Sequence, residues 1–111
     1  MQKKDDQNKL RYDLVPAIAY KELVNVYTIG AKKYGDRNWE KGLSWSRCIA
    51  ALERHWYDWK EGKEKDHDGL MLLAKVAWYC FTLLVYSITH PELDDRVKYY
   101  KKEVDNNEGK M

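Results

Sequence analysis

Several residue types that identify classes of protein are scarce in this sequence. Its 111 residues include one phenylalanine, two prolines and two cysteines, and the net charge at pH 7 is only +2. Cys48 and Cys80 lie in helical patterns and lack the spacing of metal ligands, so we expect reduced thiols in a cytoplasmic protein. A charge this small gives no reason to expect a nucleic-acid polymer as partner.

Long apolar runs are equally scarce. No apolar segment follows the lysines near the N-terminus, so we expect no secretory signal. The polar ends, residues 1–12 and 106–111, are expected to be flexible. The run from residue 70 to 88 is long and apolar enough to span a membrane. Because Lys75 lies within it, and a lysine is costly in lipid, we expect a helix buried in protein and no membrane partner.

Tyrosine and tryptophan are abundant, and both occur in the most unusual segment of the chain. The sequence has nine tyrosines and five tryptophans, which suit half-buried pockets and interfaces. Residues 30–42 combine three glycines, four cationic side chains, Tyr34 and Trp39. Lysine and arginine bind phosphate, and an aromatic ring can stack on a base. The segment is therefore either a ligand-binding loop or a solvated connection whose tryptophan caps the core.

Helical periodicity is clear on both sides of this segment. We expect a first helix over residues 16–33, ended by Gly35. Its continuous face consists of Tyr20, Leu23, Tyr27, Gly30 and Tyr34. A second helix over residues 45–61 should begin after Ser44, a favourable N-cap. Its expected core stripe is Trp45, Ile49, Leu52, Trp56 and Trp59.

Two further helices are expected after a charged connection. The third covers residues 69 to about 89, is apolar nearly all round and should be buried on several sides, with Asp66 or Asp68 as its cap. The fourth begins at Pro91 and either closes the bundle or pairs with another subunit. The sequence therefore predicts one all-α domain over residues 1–111, a bundle of about four helices.

Carboxylates are concentrated where the second helix ends and the third begins. The group is Glu53, Asp58, Glu61, Glu64, Asp66 and Asp68. Carboxylates that face one another in a helical bundle can hold Mg²⁺ or Mn²⁺, and such ions neutralise phosphate oxygens. The alternative is that they are helix caps and solvated charges. Glu53 is the hardest of them to explain as a cap, because it lies in the middle of a helix.

Two basic side chains each have two plausible roles. His55 lies at the edge of the tryptophan stripe and is either a hydrogen-bonded core histidine or a ligand-binding residue. Lys75 lies inside an apolar helix, where an ammonium group needs a counter-charge. It therefore either pairs with an aspartate or glutamate, or faces a pocket and binds the anion of a ligand.

Several short motifs, in this order, resemble one known family. They are Arg11-Tyr12-Asp13-Leu14-Val15-Pro16, Gly30-Ala31-Lys32-Lys33-Tyr34-Gly35, Asn38-Trp39, Lys41-Gly42, Trp45, Ala51, Arg54-His55, Asp66 and Asp68-Gly69-Leu70. Over residues 9 to about 85 the chain resembles the phage dATP/dGTP diphosphohydrolase N-terminal family. That family looks like a relative of the all-α, MazG-type nucleoside triphosphate pyrophosphohydrolases. The resemblance implies a MazG-like oligomer in the host cytoplasm that binds a purine nucleotide. It also implies cleavage of a dNTP to dNMP and pyrophosphate with a divalent metal.

The residues and the resemblance together lead to a specific hypothesis for the site. Mg²⁺ or Mn²⁺ is the expected cofactor, held by Glu53, Asp66 and Asp68, while His55 or Glu64 positions a water molecule. The expected nucleotide contacts are Arg11, Lys33, Tyr34, Arg37, Asn38, Trp39, Lys41, Arg54 and Lys75. In-line attack on a phosphoanhydride needs alignment and charge neutralisation more than a covalent nucleophile, and this set supplies both.

Two alternatives remain open at this point. The family pattern implies histidine, histidine and asparagine on one face of the third helix, where this chain has Leu72, Lys75 and Tyr79. An apolar residue, a cation and an aromatic ring can hold a base and a phosphate without metal. The second hypothesis is therefore an inactive sponge that sequesters a host signalling nucleotide, such as a cyclic one. The third is a structural or interaction module, based on the tyrosine-rich fourth helix.

Overall fold

The computed structural model describes residues 7–100, and these residues are helical without any strand. Three α-helices are present: α1 (Ala17–Tyr34), α2 (Trp45–Lys60) and α3 (Leu72–Thr89). Three short 3₁₀ turns connect or flank them, at Tyr12–Leu14, Asn38–Lys41 and Pro91–Leu93. The prediction of an all-α fold is confirmed. The number of helices in the described part of the chain is three rather than about four.

The bounds of the first two helices follow the local sequence signals. Pro16 precedes α1 with extended backbone angles, and Gly35 ends it with a φ of +95°, a conformation that suits glycine. Ser44 occupies the N-cap position of α2, as predicted, but its side chain makes no capping hydrogen bond. That role belongs to Asp95, whose carboxylate accepts hydrogen bonds from the Ser46 backbone N–H at 2.8 Å and the Ser46 hydroxyl at 2.6 Å.

The predicted fourth helix is wrong over the residues that the structure describes. After the 3₁₀ turn at Pro91–Leu93, residues 94–100 are not helical. The reason is that the two aspartates there have other partners: Asp94 accepts hydrogen bonds from the backbone and guanidinium of Arg96, and Asp95 caps α2. The remainder of the predicted helix, like residues 1–6 and 106–111, lies outside the described residues.

The core lies where α2 and α3 meet. Trp45, Cys48 and Tyr86 are buried there. Partly buried side chains surround them: Trp39, Ile49, Tyr79, Leu83 and Leu93. The predicted tryptophan stripe therefore belongs to the core only in its first half. Trp56 is 42% exposed and stacks on Trp59 at a ring-centroid distance of 5.2 Å.

α3 is the central helix, and it was predicted to be buried on several sides, but part of its surface is exposed. Both α1 and α2 pack against it, and its inner face buries Leu72, Ala74, Thr82 and Tyr86. Its opposite face is exposed and includes Leu73, Cys80, Phe81, Leu84 and Ile88. α3 meets the length and composition criterion for a membrane span, with a mean hydropathy of 1.5. Core helices of water-soluble proteins meet the same criterion.

The charged connection before α3 forms a compact loop. Lys65 and Met71 form an isolated backbone bridge, and the Leu72 N–H donates to the Glu64 carbonyl at 3.0 Å. The prediction that Asp66 or Asp68 caps α3 is wrong, because Met71 occupies the N-cap position and no side chain caps it. Both carboxylates bind Lys75 instead.

Candidate functional site

A cavity of about 980 Å³ lies between the C-terminal half of α1, the loop after it and the first half of α3. Its volume is at the upper end of the range of roughly 300–1,000 Å³ that is typical of small-molecule sites. Residues 29–31 and 33–43 line it without interruption. The glycine-rich segment singled out in the sequence therefore forms most of its wall. We call this space the loop cavity.

The loop cavity brings together most of the predicted nucleotide contacts. Seven of the nine predicted residues line it: Lys33, Tyr34, Arg37, Asn38, Trp39, Lys41 and Lys75. His55, predicted to position water, and Asp68, predicted to bind metal, also line it. Residues that are far apart in sequence thus meet at one site, since His55 lies on α2 and Lys75 on α3.

Other predicted site residues lie outside the loop cavity. Arg11 forms a two-hydrogen-bond ion pair with Asp13 at 2.8 Å. Arg54, Glu53 and Glu64 are exposed and do not line it. Asp66 does not line it either, but it contacts Lys75, which does. The functional roles predicted for these residues remain predictions.

Arg47 and Trp78 are among the lining residues that the sequence analysis did not predict as site residues. Arg47 lies in the first turn of α2, next to the end of the loop, and brings another guanidinium to the cavity. Trp78 was not singled out, although it lies one helical turn after Lys75 and therefore on the same face of α3. The i, i+3 spacing of Lys75 and Trp78 in an apolar helix could have indicated that both side chains face the same site.

Two hydrogen bonds fix the loop to the core, and a third holds His90, which makes one of them. The Tyr86 hydroxyl donates to the carbonyl oxygen of Trp39, and the His90 Nε2 atom lies 2.8 Å from the carbonyl oxygen of Glu40. The Trp45 indole N–H donates to the His90 carbonyl at 3.2 Å. Tyr86 is fully buried, and burial raises its pKa to about 12. The cavity wall is therefore held by the core and is largely pre-formed.

The two aromatic residues of the loop have different surroundings. The Trp39 ring packs edge-on or tilted against Tyr27, Trp78 and Tyr86, at centroid distances of 6.0–6.2 Å. Tyr34 is 70% exposed, and no ring pair within the described residues involves it. Trp39 is thus committed to the aromatic packing of the core, whereas Tyr34 is available as a surface on which a base can stack.

Lys75 binds both aspartates of the preceding loop. Its Nζ atom lies 2.6 Å from Asp66 Oδ2 and 2.7 Å from Asp68 Oδ2, and all three side chains are less than a fifth exposed. The hydrogen bond from Lys75 holds the pKa of Asp66 well below its ordinary value. Burial opposes ionisation of Asp68 and Lys75, but their mutual hydrogen bonds prevail: the pKa of Asp68 is lowered and that of Lys75 is raised.

His55 lies beside this ion-paired group. Its Nδ1 atom is 3.8 Å from Asp66 Oδ2, and its ring stacks on Tyr79 at 5.9 Å. Burial and the positive charge of Lys75 lower the pKa of His55 below 6.5, despite the opposing effect of Asp66. At neutral pH the imidazole is therefore uncharged and has one ring nitrogen able to accept a proton or a hydrogen bond.

The predicted metal ligands do not form a metal site in this arrangement. Among residues 7–100, no three or more His, Cys, Asp or Glu side chains are grouped so that they could hold an ion. Every oxygen of Asp66 and Asp68 already accepts a hydrogen bond or an ion pair. A divalent ion could use the two Oδ2 atoms only by displacing the Lys75 ammonium from them.

Apart from Asp36 and Glu40, the remaining charges at the loop cavity are positive. Arg37 is paired with Glu40 at 2.6 Å. Lys33, Lys41 and Arg47 have no ion-pair partner within the part of the chain that the structure describes. Cationic side chains without carboxylate partners are suited to binding a phosphate chain.

Comparison with known proteins supports the resemblance found in the sequence. Residues 1–96 match the model of the family described as dATP/dGTP diphosphohydrolase, N-terminal. A dATP/dGTP diphosphohydrolase of Salmonella phage PMBT28 is 33% identical over 96 residues, which is 84% of this chain and 32% of that protein. The chain thus spans about a third of the length of this curated relative. No solved structure matches the chain. With a family model that covers most of its length, the chain belongs to the dATP/dGTP diphosphohydrolase N-terminal family.

Proposed function

We propose that this chain binds a purine nucleotide in the loop cavity as part of a nucleotide hydrolase. One observation carries the proposal: seven of the nine residues predicted to contact a nucleotide line one pre-formed cavity of about 980 Å³. The family and its phage relative supply the substrate class, dATP or dGTP, and the class of reaction. Hydrolysis of such a dNTP would yield the dNMP and pyrophosphate.

The distribution of charge suggests how the nucleotide lies. The phosphate chain would contact the cations that lack carboxylate partners, Lys33, Lys41 and Arg47, because phosphate oxygens gain most from uncompensated positive charge. The base would stack on the exposed ring of Tyr34. Of the two side chains predicted to position water, His55 lines the cavity and is uncharged, whereas Glu64 is exposed outside it. We therefore assign that role to His55.

A second candidate function is retention of a nucleotide without cleavage. The observation that favours it is the ion-paired group, in which Lys75 occupies the oxygens of both Asp66 and Asp68. Mg²⁺ or Mn²⁺, the expected cofactor of Glu53, Asp66 and Asp68, would have to displace Lys75 from both aspartates. A cavity of this kind could sequester a purine or cyclic signalling nucleotide intact.

The exposed face of α3 suggests a second copy of this chain as partner. Leu73, Cys80, Phe81, Leu84 and Ile88 lie on one side of the helix, at heptad-like spacing and without a charged residue. Such a charge-free stripe is typical of a helix–helix interface. We propose a symmetric pairing through it.

One experiment tests binding and separates its two outcomes. The purified chain is incubated with dATP, dGTP, the other dNTPs and cyclic nucleotides, with Mn²⁺ or with EDTA, and all nucleotides are identified by mass. Metal-dependent dNMP and pyrophosphate indicate a hydrolase, whereas intact nucleotide recovered from the denatured protein indicates a sponge. Absence of any binding below about millimolar concentration would leave only the structural or interaction module.

A matched pair of variants locates the binding in the loop cavity. Lys33→Met removes a cation that lines the cavity, and Lys21→Met removes an exposed cation from α1 outside it. We expect Lys33→Met to weaken nucleotide binding roughly tenfold, the usual size for a hydrogen bond to a charged group. Lys21→Met should bind like the unmodified chain. Equal effects of the two variants would contradict the proposed location.

A further inference from the structure

The ion-paired group of Asp66, Asp68 and Lys75 has the form of a cation site whose cation is part of the protein. The Lys75 ammonium lies between the two Oδ2 atoms, at 2.6 and 2.7 Å. These distances are typical of strong charge-assisted hydrogen bonds. Each of the three side chains is less than a fifth exposed, so water competes little with these bonds.

The remaining oxygens are held by the backbone and side chain of the same loop. Asp66 Oδ1 accepts a hydrogen bond from the His67 N–H at 2.9 Å, and Asp68 Oδ1 accepts one from the Leu70 N–H at 3.1 Å. The Asp66 N–H donates a hydrogen bond to the Leu70 carbonyl, and the Asp66 carbonyl accepts one from the Gly69 N–H, both at 2.9 Å. The loop therefore fixes both carboxylates around the ammonium before any ligand arrives.

We propose that Lys75 takes the place of the divalent metal at these two carboxylates, so that nucleotide binding in the loop cavity needs no metal ion there. This inference rests on the proposed function. The ammonium balances one of the two negative charges, and a metal ion could approach only if Lys75 left. Two N–H bonds of the ammonium point to the aspartates, and the third is available to a ligand, because Lys75 lines the cavity.

The group differs from the cations of the loop in net charge. Two carboxylates and one ammonium sum to one negative charge, so the group is less favourable for a phosphate than Lys33 or Lys41. Its remaining donor and the second lone pairs of Asp68 suit the polar edge of a base or a sugar hydroxyl instead. The proposal therefore places the base and sugar, rather than the triphosphate, next to Lys75.

Binding of Mn²⁺ to the chain without nucleotide tests the inference directly. Free Mn²⁺ is measured by electron paramagnetic resonance for the unmodified chain, Lys75→Met and the matched surface variant Lys65→Met. We expect the unmodified chain and Lys65→Met to bind no Mn²⁺ below about millimolar concentration. Lys75→Met frees both carboxylates and should bind Mn²⁺ at least about tenfold more tightly. Asp66→Asn added to Lys75→Met should abolish that gain.

Two results would overturn the inference. The first is micromolar Mn²⁺ binding by the unmodified chain that Asp66→Asn removes, and the second is a folded Lys75→Met variant that gains no Mn²⁺ binding. Circular dichroism establishes that each variant is folded. Lys75→Ala replaces Lys75→Met if the latter does not fold, and the result for the unmodified chain is decisive in any case.

Measurements of nucleotide binding with and without metal distinguish this inference from the proposed function. Calorimetry of the purine nucleotide selected in the mass experiment should give the same Kd in EDTA and in Mn²⁺, within about twofold. A nucleotide that binds only with Mn²⁺ would overturn the inference and leave the proposed function intact. If no nucleotide binds in either condition, the proposed function fails, while the Mn²⁺ measurements still decide the role of Lys75.

Discussion

The Nε2 atom of His90 lies 2.8 Å from the carbonyl oxygen of Glu40, fifty residues earlier in the chain. The other ring nitrogen, Nδ1, lies 3.1 Å from the carboxylate of Glu92. Both neighbours are acceptors, so the doubly protonated imidazolium satisfies both contacts. His90 follows α3, and Glu40 belongs to the wall of the loop cavity. The protonation state of one histidine is thus linked to the attachment of the binding loop.

This contact predicts a pH dependence of stability. The hydrogen bond to Glu40 and the bond to Glu92 raise the pKa of His90 above 6.5. Because the folded-state pKa is the higher one, the stabilisation is fully present below pH 6.5 and is lost as the pH rises through the raised value. Urea unfolding at several pH values should show that the difference in unfolding free energy between the unmodified chain and His90→Gln shrinks in this direction. A His90 ring pKa at or below 6.5, measured by NMR, would contradict the prediction.

Close packing at Gly42 also contributes to the attachment of the binding loop to His90. A Cβ atom on Gly42 would lie 2.7 Å from Leu93 Cδ1 and 3.3 Å from the His90 ring, and its φ is +104°. Gly62 has a similar φ of +107° but no atom within 4 Å. Gly62→Ala should therefore cost only the backbone strain, about 1–2 kcal/mol, whereas Gly42→Ala should cost about 1–3 kcal/mol more. Urea denaturation measures both, and equal costs would show that the close packing at Gly42 is absent.

The first two helices could be predicted from sequence because their signals are local. Pro16, Gly35 and Ser44 mark helix ends within a few residues, whatever the rest of the chain does. The fourth helix was wrong for the opposite reason. Pro91 favours a helix start locally, but in the fold Asp95 binds Ser46, forty-nine residues away. Long-range partners of this kind leave no periodic signal.

The part of the site that could be predicted is the part formed by consecutive residues. Residues 30–42 form one wall, so most of its lining could be named in advance. The sequence left Tyr34 and Trp39 as equal candidates for base stacking, because the difference depends on Trp78, which is distant in sequence. Lys75 was expected to pair either with a carboxylate or with a ligand, and only the folded loop reveals that it pairs with two aspartates.

Because the ring of Tyr34 is exposed, we expect its substitution to weaken nucleotide binding without lowering the stability of the fold. Tyr34→Leu should weaken nucleotide binding roughly tenfold, because stacking of a base on an aromatic ring contributes about 1–3 kcal/mol. Its unfolding free energy should change little, since the side chain is 70% exposed. Tyr57→Leu, on α2 and 59% exposed, is the matched control and should alter neither property. Calorimetry and urea unfolding measure the two effects, and unchanged binding in Tyr34→Leu would exclude this ring as the stacking surface.

The charge-free face of α3 predicts a dimer with its two-fold axis near Cys80. In a symmetric antiparallel pairing of residues 73–88, the residues at the middle of the stripe meet their own copies, and Cys80 is at that position. Cys80 is exposed and reduced, whereas Cys48 is buried, so a mild oxidant should link two chains through Cys80 alone. Cys80→Ser should abolish the covalent dimer.

Light scattering tests the same dimer through its molar mass, without covalent cross-linking. The unmodified chain should have twice its mass of 13.3 kDa, and Leu84→Glu should have the single mass, because each chain would bury an unpaired carboxylate in the interface. Tyr57→Glu, an exposed position on α2, should stay dimeric. A single mass for the unmodified chain at micromolar concentration would contradict the pairing. If that monomer floated with phospholipid vesicles, and Leu84→Glu did not, the same face would instead be bound to lipid.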